Sequence, residues 1–415
     1  MSYLPPITES DVIDGLYLRY LKFFGLWGVI NDYRTTGKRN RIIKFQLLIT
    51  LMFAVPYIFT QYLSFFVIKV DIQKATFLNL HTLPAIQICC KIMVIWFRLD
   101  SQCRLFNLVR KDFIYIPEYN REAANKIFKE ISNKANILCI AAFIVNTAVI
   151  ISSIAVPGIS VDYILYHTGN MDAITSGRKK ILGGWYPLQM DESPHYEIVF
   201  VYETTFILWA GILLAVYISL FYQVLMCLYA QFSVLCIHVS SLRSDPDAEK
   251  KYRNRKVDSE IYKELYIIIR NHQKLLSYAN ELRSVYNPLV TMILGIGIFV
   301  LIIAVFQFLF GSPGNPTFIF KSLLFLAYQG IEVCMFCFGS SYVETASSDL
   351  HFAIYSSDWY KADIKFQKAA QMMMIRTRKG VTLTAIRMYN INVETMMSIF
   401  QFTYTVSAFM SRMNE

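Results

Sequence analysis

The sequence predicts an all-α membrane protein: seven transmembrane helices, an N-terminus in the cytoplasm, a C-terminus outside, and a helical cytoplasmic anchor. Three observations predict it. Apolar residues fall in blocks as long as a bilayer is thick. Basic residues crowd into alternate connections between those blocks. Two of these connections carry the apolar periodicity of helices.

The blocks come first. Of 415 residues, 55% are hydrophobic and 17% charged, where a soluble domain carries roughly 25% charged residues. The mean hydropathy is +0.39. A run of about 20 apolar residues spans the hydrocarbon core. Without water there, backbone N–H and C=O groups must pair within the run, so each is a helix. The expected spans are Ile42–Ile68, Ala75–Phe97, Ile137–Val156, Ile198–Tyr222, Leu289–Phe310, Phe318–Phe338 and Tyr389–Met410. The first carries Pro56, a site for a kink. Gly295 and Gly297 interrupt the fifth. The last contains Asn390, Asn392, Glu394 and Gln401 and so does not face lipid all round.

Charge sets the orientation. Segments 1–41, 98–134, 223–287 and 339–388 hold 31 of the 40 Lys and Arg, and the alternate segments hold 6. Basic residues collect on the cytoplasmic side, which places the first set inside. The net charge of +10 follows from this bias and implies no nucleic-acid partner. A G-protein-coupled receptor has its N-terminus outside, so the pattern is the inverse of that class. The first 40 residues lack the basic-then-apolar pattern of a signal peptide.

The expected organisation is a cytoplasmic segment at 1–41, four spans in 42–222, anchor helices in 223–287, two spans in 288–338, a second anchor segment at 339–388 and a last span in 389–411. Within the anchor, Ile261, Leu265, Ile268, Leu275, Leu282 and Tyr286 form one helical face. Asp245-Pro246-Asp247 marks a break before it. Ile364, Phe366, Ala370 and Met373 define a second amphipathic helix. Two such helices in one chain favour packing into a domain over lying singly on the membrane surface.

No catalytic signature is present: no nucleophile elbow, no paired-histidine metalloprotease motif and no phosphate-cradling loop. The six histidines show no metal-ligand spacing, and no cofactor is implied. The eight cysteines lie in apolar blocks or on the cytoplasmic side, where thiols stay reduced. Cys334 and Cys337 are two apolar-helix residues without a second pair to complete a metal site.

Ionisable residues inside spans are functional candidates. Lys91 and Glu332 stand at similar depth in the second and sixth spans, so an ion pair between them is geometrically allowed; the alternative is a lysine snorkelling to the surface. Lys321 and Glu203 sit near the outer ends of their spans and are expected to reach water. The outer halves of spans two to six carry aromatic, apolar and small polar groups suited to a small volatile or lipid-like ligand: Phe77, His81, Asn146, Ile150, Ser153, Tyr202, Phe206, Trp209, Phe306, Phe320, Leu324 and Tyr328. Any one aromatic among them is as well suited to packing or to facing lipid.

The C-terminal third carries a family likeness. Ser347-Ser348-Asp349-Leu350, Ala353-Ile354-Tyr355-Ser356-Ser357-Asp358-Trp359-Tyr360, Met372-Met373-Met374-Ile375-Arg376 and Thr382-Leu383-Thr384-Ala385 resemble the C-terminal region of insect odorant receptors. Length and topology fit over the whole chain. Two departures stand out. Gly380 follows Arg378-Lys379 where the family usually has proline. Thr403-Tyr404 resembles the start of the gustatory-receptor terminal motif, but Met410-Ser411 replaces its Gln-Phe ending, which favours the odorant branch.

The resemblance implies a ligand-tuning subunit of an odorant-gated, non-selective cation channel: a heterotetramer with the odorant receptor co-receptor, in the plasma membrane of sensory dendrites. It implies a ligand pocket in the outer half of helices 2–6, a cytoplasmic anchor for assembly, and a central pore lined by the last helix. On that helix Thr403, Ser407 and Ser411 recur on one face, with Met410 available for an apolar constriction. A polar stripe that only bonds neighbouring helices is the alternative. A seven-helix metabotropic receptor, a gustatory-type receptor channel and a transporter compete with the channel reading, the last being expected to show inverted repeats. Epitope tags at both ends, probed in intact cells, test the topology: antibody reaches the C-terminal tag only, whereas an accessible N-terminal tag inverts the map.

Overall fold

A computed structural model describes residues 8–23, 25–36, 41–67, 72–158, 184–188, 194–241, 255–310, 316–386 and 389–414. Eleven helices are named among them: α1 Leu16–Phe23, α2 Leu26–Thr36, α3 Arg41–Val67, α4 Ile72–Phe97, α5 Leu99–Leu105, α6 Arg121–Gly158, α7 His195–Ser241, α8 Arg255–Phe310, α9 Pro316–Tyr355, α10 Ile364–Thr377 and α11 Val393–Asn414. A two-stranded antiparallel ribbon, β1 Thr384–Ala385 with β2 Tyr389–Asn390, precedes α11. Six helices, α3, α4, α6, α7, α8 and α9, are long and apolar enough to cross a membrane. Helix α11, where the last span was expected, has 22 residues, about 33 Å of helix against a core of about 30 Å. The expected last span began at Tyr389. In the structure Tyr389 and Asn390 belong to the ribbon, so the helix starts at Val393.

The larger finding is continuity. Helix α8 has 56 residues, roughly 84 Å, so it runs from the membrane far into the anchor. Helices α7 and α9 do the same, with 47 and 40 residues. The expected boundaries at 222/223, 287/288 and 338/339 lie inside helices. Pro288 and the glycines of the fifth span do not break α8. The expected break at Asp245-Pro246-Asp247 lies outside the described residues. Helix α7 is the spine: 89% of its most apolar stretch is buried, and it packs against α9, α6 and α8. An apolar helix with so little exposed surface is central.

The anchor is a packed body. Tyr262 of α8 donates its hydroxyl to Asp363, which also caps α10 by accepting the Phe366 N–H at 2.9 Å. The α10 carbonyl of Met374 meets the His351 ring at 3.0 Å. Gln231 of α7 donates to the carbonyls of Leu108 and Arg110 at 3.2 and 2.8 Å. The N-terminal segment joins in: Ile13 N–H donates to the Val109 carbonyl at 2.8 Å, and Tyr17 lies buried against Phe106.

After α10 the chain runs along the α8 and α9 surfaces. The Val381 N–H donates to Ser347 Oγ at 2.7 Å, and Arg283 Nη2 donates to the Thr382 carbonyl at 2.6 Å. A Cβ at Gly380 would stand 2.8 Å from the Glu344 carbonyl oxygen. Only glycine allows that approach without displacing the carbonyl. Ile386 has φ +52°, an unfavourable conformation for a β-branched residue. Its N–H is held by Thr291 Oγ1 at 2.8 Å.

Inside the membrane part, the allowed ion pair is made. Lys91 Nζ stands 2.7 Å from Glu332 Oε1, with both side chains at 2% exposure or less. Gln329 Nε2 donates to the other carboxylate oxygen at 3.0 Å. Helix α4 is further tied to α8 by Gln87, which donates to the Ile293 carbonyl at 3.2 Å. A Cβ at Gly297 would lie 2.8 Å from Gln329 Nε2, so this glycine lets α9 approach α8. The snorkelling alternative for Lys91 is thereby replaced.

Two tests follow from this packing. Removing one partner of a buried pair costs about 3–5 kcal/mol, while removing both is often near neutral. Lys91→Met is expected to lower the melting temperature and surface expression, and Lys91→Met with Glu332→Gln to recover most of the loss; equal losses in both variants contradict the pairing. In the anchor, burial pushes His238 and His272 down to about 4, with Arg376 adding to the effect at His272. Unfolded histidines bind protons near 6.5, so stability is full above that value and falls as pH drops from 6.5 towards 4. A thermal-shift series across this window is expected to show the fall, flattened in His238→Gln.

Candidate functional site

Helices α4, α6, α7, α8 and α9 part slightly in the half of the membrane bundle remote from the anchor. A cavity of about 80 Å³ lies between them, bordered on one side by α3. The wall is built mostly of apolar groups: Pro84 and Ala85 from α4, Val149 and Ile150 from α6, Phe206, Ile207 and Leu214 from α7, Val300 from α8 and Phe325 from α9. His81 is fixed by Phe77, whose carbonyl meets Nδ1 at 3.1 Å, and by the edge of Phe325 at 5.0 Å. Its Nε2 has no hydrogen-bond partner, and neither does the Tyr328 hydroxyl. Both residues are under 9% exposed and line the cavity. Unmade hydrogen bonds at buried atoms cost about 1–3 kcal/mol each, so a guest carrying a polar atom has a place to use it.

Gly211 sets the spacing of α6 and α7. A Cβ there would collide with Ile150 Cδ1. Without one, Asn146 Nδ2 reaches the Gly211 carbonyl at 3.0 Å, so its amide is spent on packing.

Of the twelve expected pocket residues, the structure brings six to this wall: His81, Asn146, Ile150, Ser153, Phe206 and Tyr328. The other six lie elsewhere. Phe77 stands behind His81, at 5.0 Å between ring centres. Tyr202 donates its hydroxyl to the Phe53 carbonyl at 2.6 Å, and Trp209 donates Nε1 to Thr50 Oγ1 at 2.9 Å. Both therefore fasten α7 to α3. Phe306 is buried against Phe310. Phe320 is 55% exposed, and Leu324 packs in the core without reaching the cavity. Tyr57, Ala85, Gly211, Phe325 and Gln329 were not anticipated. The signal for Ala85 and Gly211 is small size, which makes room but leaves no mark among enriched aromatics.

Two further expectations are corrected. Lys321 and Glu203 do not reach water; they are 6% and 1% exposed. Residues 184–188 fold over the ends of α3 and α7: the Trp185 N–H donates to Ser64 Oγ at 2.7 Å, and the Tyr186 hydroxyl donates to Glu203 Oε1 at 2.8 Å. Lys321 Nζ instead lies 5.3 Å from the Phe77 ring centre.

On α11, Thr403 and Ser407 turn into the chain at 3% and 1% exposure. The helix packs against α8 and α9, and Thr403 Oγ1 bonds back to the Ile399 carbonyl at 2.8 Å. The hydroxyls of Thr403 and Ser407 are thus buried against the chain's own helices. Met410 is half-buried, and the Ser411 side chain lies outside the described residues. The exposed face of α11 instead carries Ser398, Gln401 and Thr405 beside Phe402 and Phe409. Among the described residues no cluster of His, Cys, Asp and Glu could hold a metal ion.

Comparison with known proteins agrees with this architecture. The family model described as 7tm Odorant receptor matches residues 77–404. Odorant receptor 85b of Drosophila melanogaster is 26% identical over 191 residues, 46% of this chain and 47% of that protein. Odorant receptor 24a of the same species is 26% identical over 189 residues, 44% of this chain and 45% of that protein. The chain thus spans about half the length of the curated relatives it matches. The insect olfactory receptor OR5 from Machilis hrabei shares the fold, with a TM-score of 0.75 over 95% of this chain and 98% of that one at 14% identity. Its complex with eugenol gives a TM-score of 0.76 over 96% and 99% at 14% identity. With the family model matched over most of its length, and with the long apolar helices that such a receptor requires, the chain belongs to the 7tm Odorant receptor family.

Proposed function

We propose that this chain is the ligand-tuning subunit of an odorant-gated, non-selective cation channel in the plasma membrane, assembled with a co-receptor as a heterotetramer. Its N-terminus is cytoplasmic and its C-terminus outside. The ligand is a small, largely apolar molecule with one polar group, held in the cavity between α4, α6, α7, α8 and α9. One observation carries this reading: a largely apolar cavity lined by two buried polar atoms, His81 Nε2 and Tyr328 Oη, that have no partner. The eugenol complex of the Machilis hrabei receptor supports a small organic ligand for this fold.

Size links binding to movement. A cavity that takes benzene measures about 150 Å³, and this one is about 80 Å³. A ligand larger than benzene therefore requires the walls to separate. Burial of its apolar surface, at about 25 cal/mol per Å², favours the widened arrangement. A ligand that binds one arrangement better shifts the population towards it. Helices α8 and α9 border the cavity and pack on α11, so their displacement reaches the last helix. In this proposal the pore side of α11 is its exposed face, with Gln401 and Thr405 offering polar groups to hydrated ions and Phe409 an apolar constriction.

The test is electrical. Cells expressing this chain with a co-receptor are expected to give odorant-evoked cation currents, and cells expressing either alone none for the same odorants. Tyr328→Phe is expected to raise the half-maximal concentration about tenfold for hydroxyl- or carbonyl-bearing ligands, the worth of one hydrogen bond, while sparing hydrocarbon ligands. Unchanged responses in Tyr328→Phe and Gly211→Val together would remove the cavity from the proposal.

A further inference from the structure

A second cavity lies at the other end of the bundle, where the membrane helices enter the anchor. Its volume is about 90 Å³, slightly larger than the first. Its wall is overwhelmingly apolar, and aromatic rings form its floor. Phe221 of α7 contacts Tyr286 of α8 at 4.5 Å and Phe336 of α9 at 4.6 Å between ring centres. Leu21 of α1 and Ile30 of α2 close it from the N-terminal side.

Among the groups with polar atoms that line this space, three bear on its chemistry: Gln46, Gln102 and Lys91. Gln46 of α3 is 8% exposed, and its Oε1 has no partner. Gln102 of α5 accepts the Tyr286 hydroxyl at 2.5 Å, which leaves its buried Nε2 without an acceptor. Lys91, the third, is neutralised by Glu332 at 2.7 Å but has more N–H groups than that one bond uses. Gln46 lacks a donor and Gln102 lacks an acceptor. A hydroxyl supplies either.

From this geometry we infer that the cavity is a second ligand site, for a small uncharged amphipath with one hydroxyl and an aliphatic or aromatic body. Its polar group meets Gln46, Gln102 or Lys91, and its body lies against Phe221, Tyr286 and Phe336. A charged ligand is disfavoured, because Lys91 already has its counter-ion and a further charge would be buried unpaired. Water alone does not match the space. Each buried water needs two to four polar partners, and the wall offers enough for about one water in a volume several times larger. An acyl chain of a membrane lipid matches it less well, since it brings no polar atom to the two glutamines.

The site is separate from the first cavity yet joined to it. Lys91 lines this one, Gln329 lines the other, and Glu332 bonds to both. An occupant here bears directly on the spacing of α4, α7 and α8 at the anchor end.

Photolabelling of the full-length chain in phospholipid vesicles tests the inference. The probe is a short diazirine-bearing alkanol, and labelled peptides are mapped by mass spectrometry. Label is expected on residues 95–106 or 217–224, displaced by the matching unlabelled alkanol but not by the alkane. Gln46→Leu is expected to cut that label about fivefold, as for one lost hydrogen bond, and Ile218→Trp to abolish it by filling the space. Label at His81 and the first cavity remains in both variants. Should Ile218→Trp fail to fold, Gln46→Leu removes the amide at nearly constant volume and supplies the same reading. Displacement by alkane as well as alkanol, labelling by a photoreactive phospholipid in place of the alkanol, or label confined to the first cavity would each overturn the inference.

Discussion

The Lys91–Glu332 pair is the constraint around which the membrane part is arranged. Two charges this deep are tolerable only together and only with their hydrogen bonds made. That requirement fixes where α4 stands against α9, to within the reach of a 2.7 Å contact. Gln329 completes the carboxylate at 3.0 Å, and Gly297 gives it the room to do so. The pair also divides the interior. On one side is the cavity of His81 and Tyr328, on the other the cavity of Gln46 and Gln102, with the polar chain Gln329–Glu332–Lys91 between them. A pair that costs so much to bury confers little net stability. Its value is in specifying one register, and so one shape for each cavity.

Long helices carry that geometry outward. Because α7, α8 and α9 continue unbroken from the bundle into the anchor, a displacement at Val300 or Phe325 does not end at the membrane surface. Packed interiors transmit shifts rather than absorb them. The segment from Thr377 to Val393 is different in kind. It is pinned by individual hydrogen bonds, donated to Ser347 and Thr291 and accepted from Arg283, and contains Ile386 in a strained conformation. Such strain persists only where surroundings hold it. Here it stands directly after β1, between the two strands of the ribbon that leads into α11.

The sequence was legible wherever the physical signal is local. Bilayer thickness sets the length of an apolar block, so six spans appear at their expected places and the amphipathic helix at 364–377 starts within a few residues of its predicted position. Lys91 and Glu332 were found because depth along a helix can be counted from either end. Boundaries between membrane and anchor were not legible as breaks, because an α-helix satisfies its own backbone in both environments and has no reason to end at the interface.

Direction around a helix was the other limit. Thr403 and Ser407 share a face with certainty, yet only the packing of α11 on α8 and α9 decided that the face is turned inward. Tyr202, Phe206 and Trp209 follow one another along α7, but which of them meets the cavity depends on where α3 lies. Glu203 is covered by residues 184–188 and Lys321 lies beside the Phe77 ring of another helix, contacts between segments distant in the chain. Residue type and spacing therefore settled the class of protein and most of its helices, both of which depend on transfer from water. The cavities depend on which side chains fail to meet, and that is a property of several helices at once rather than of any one.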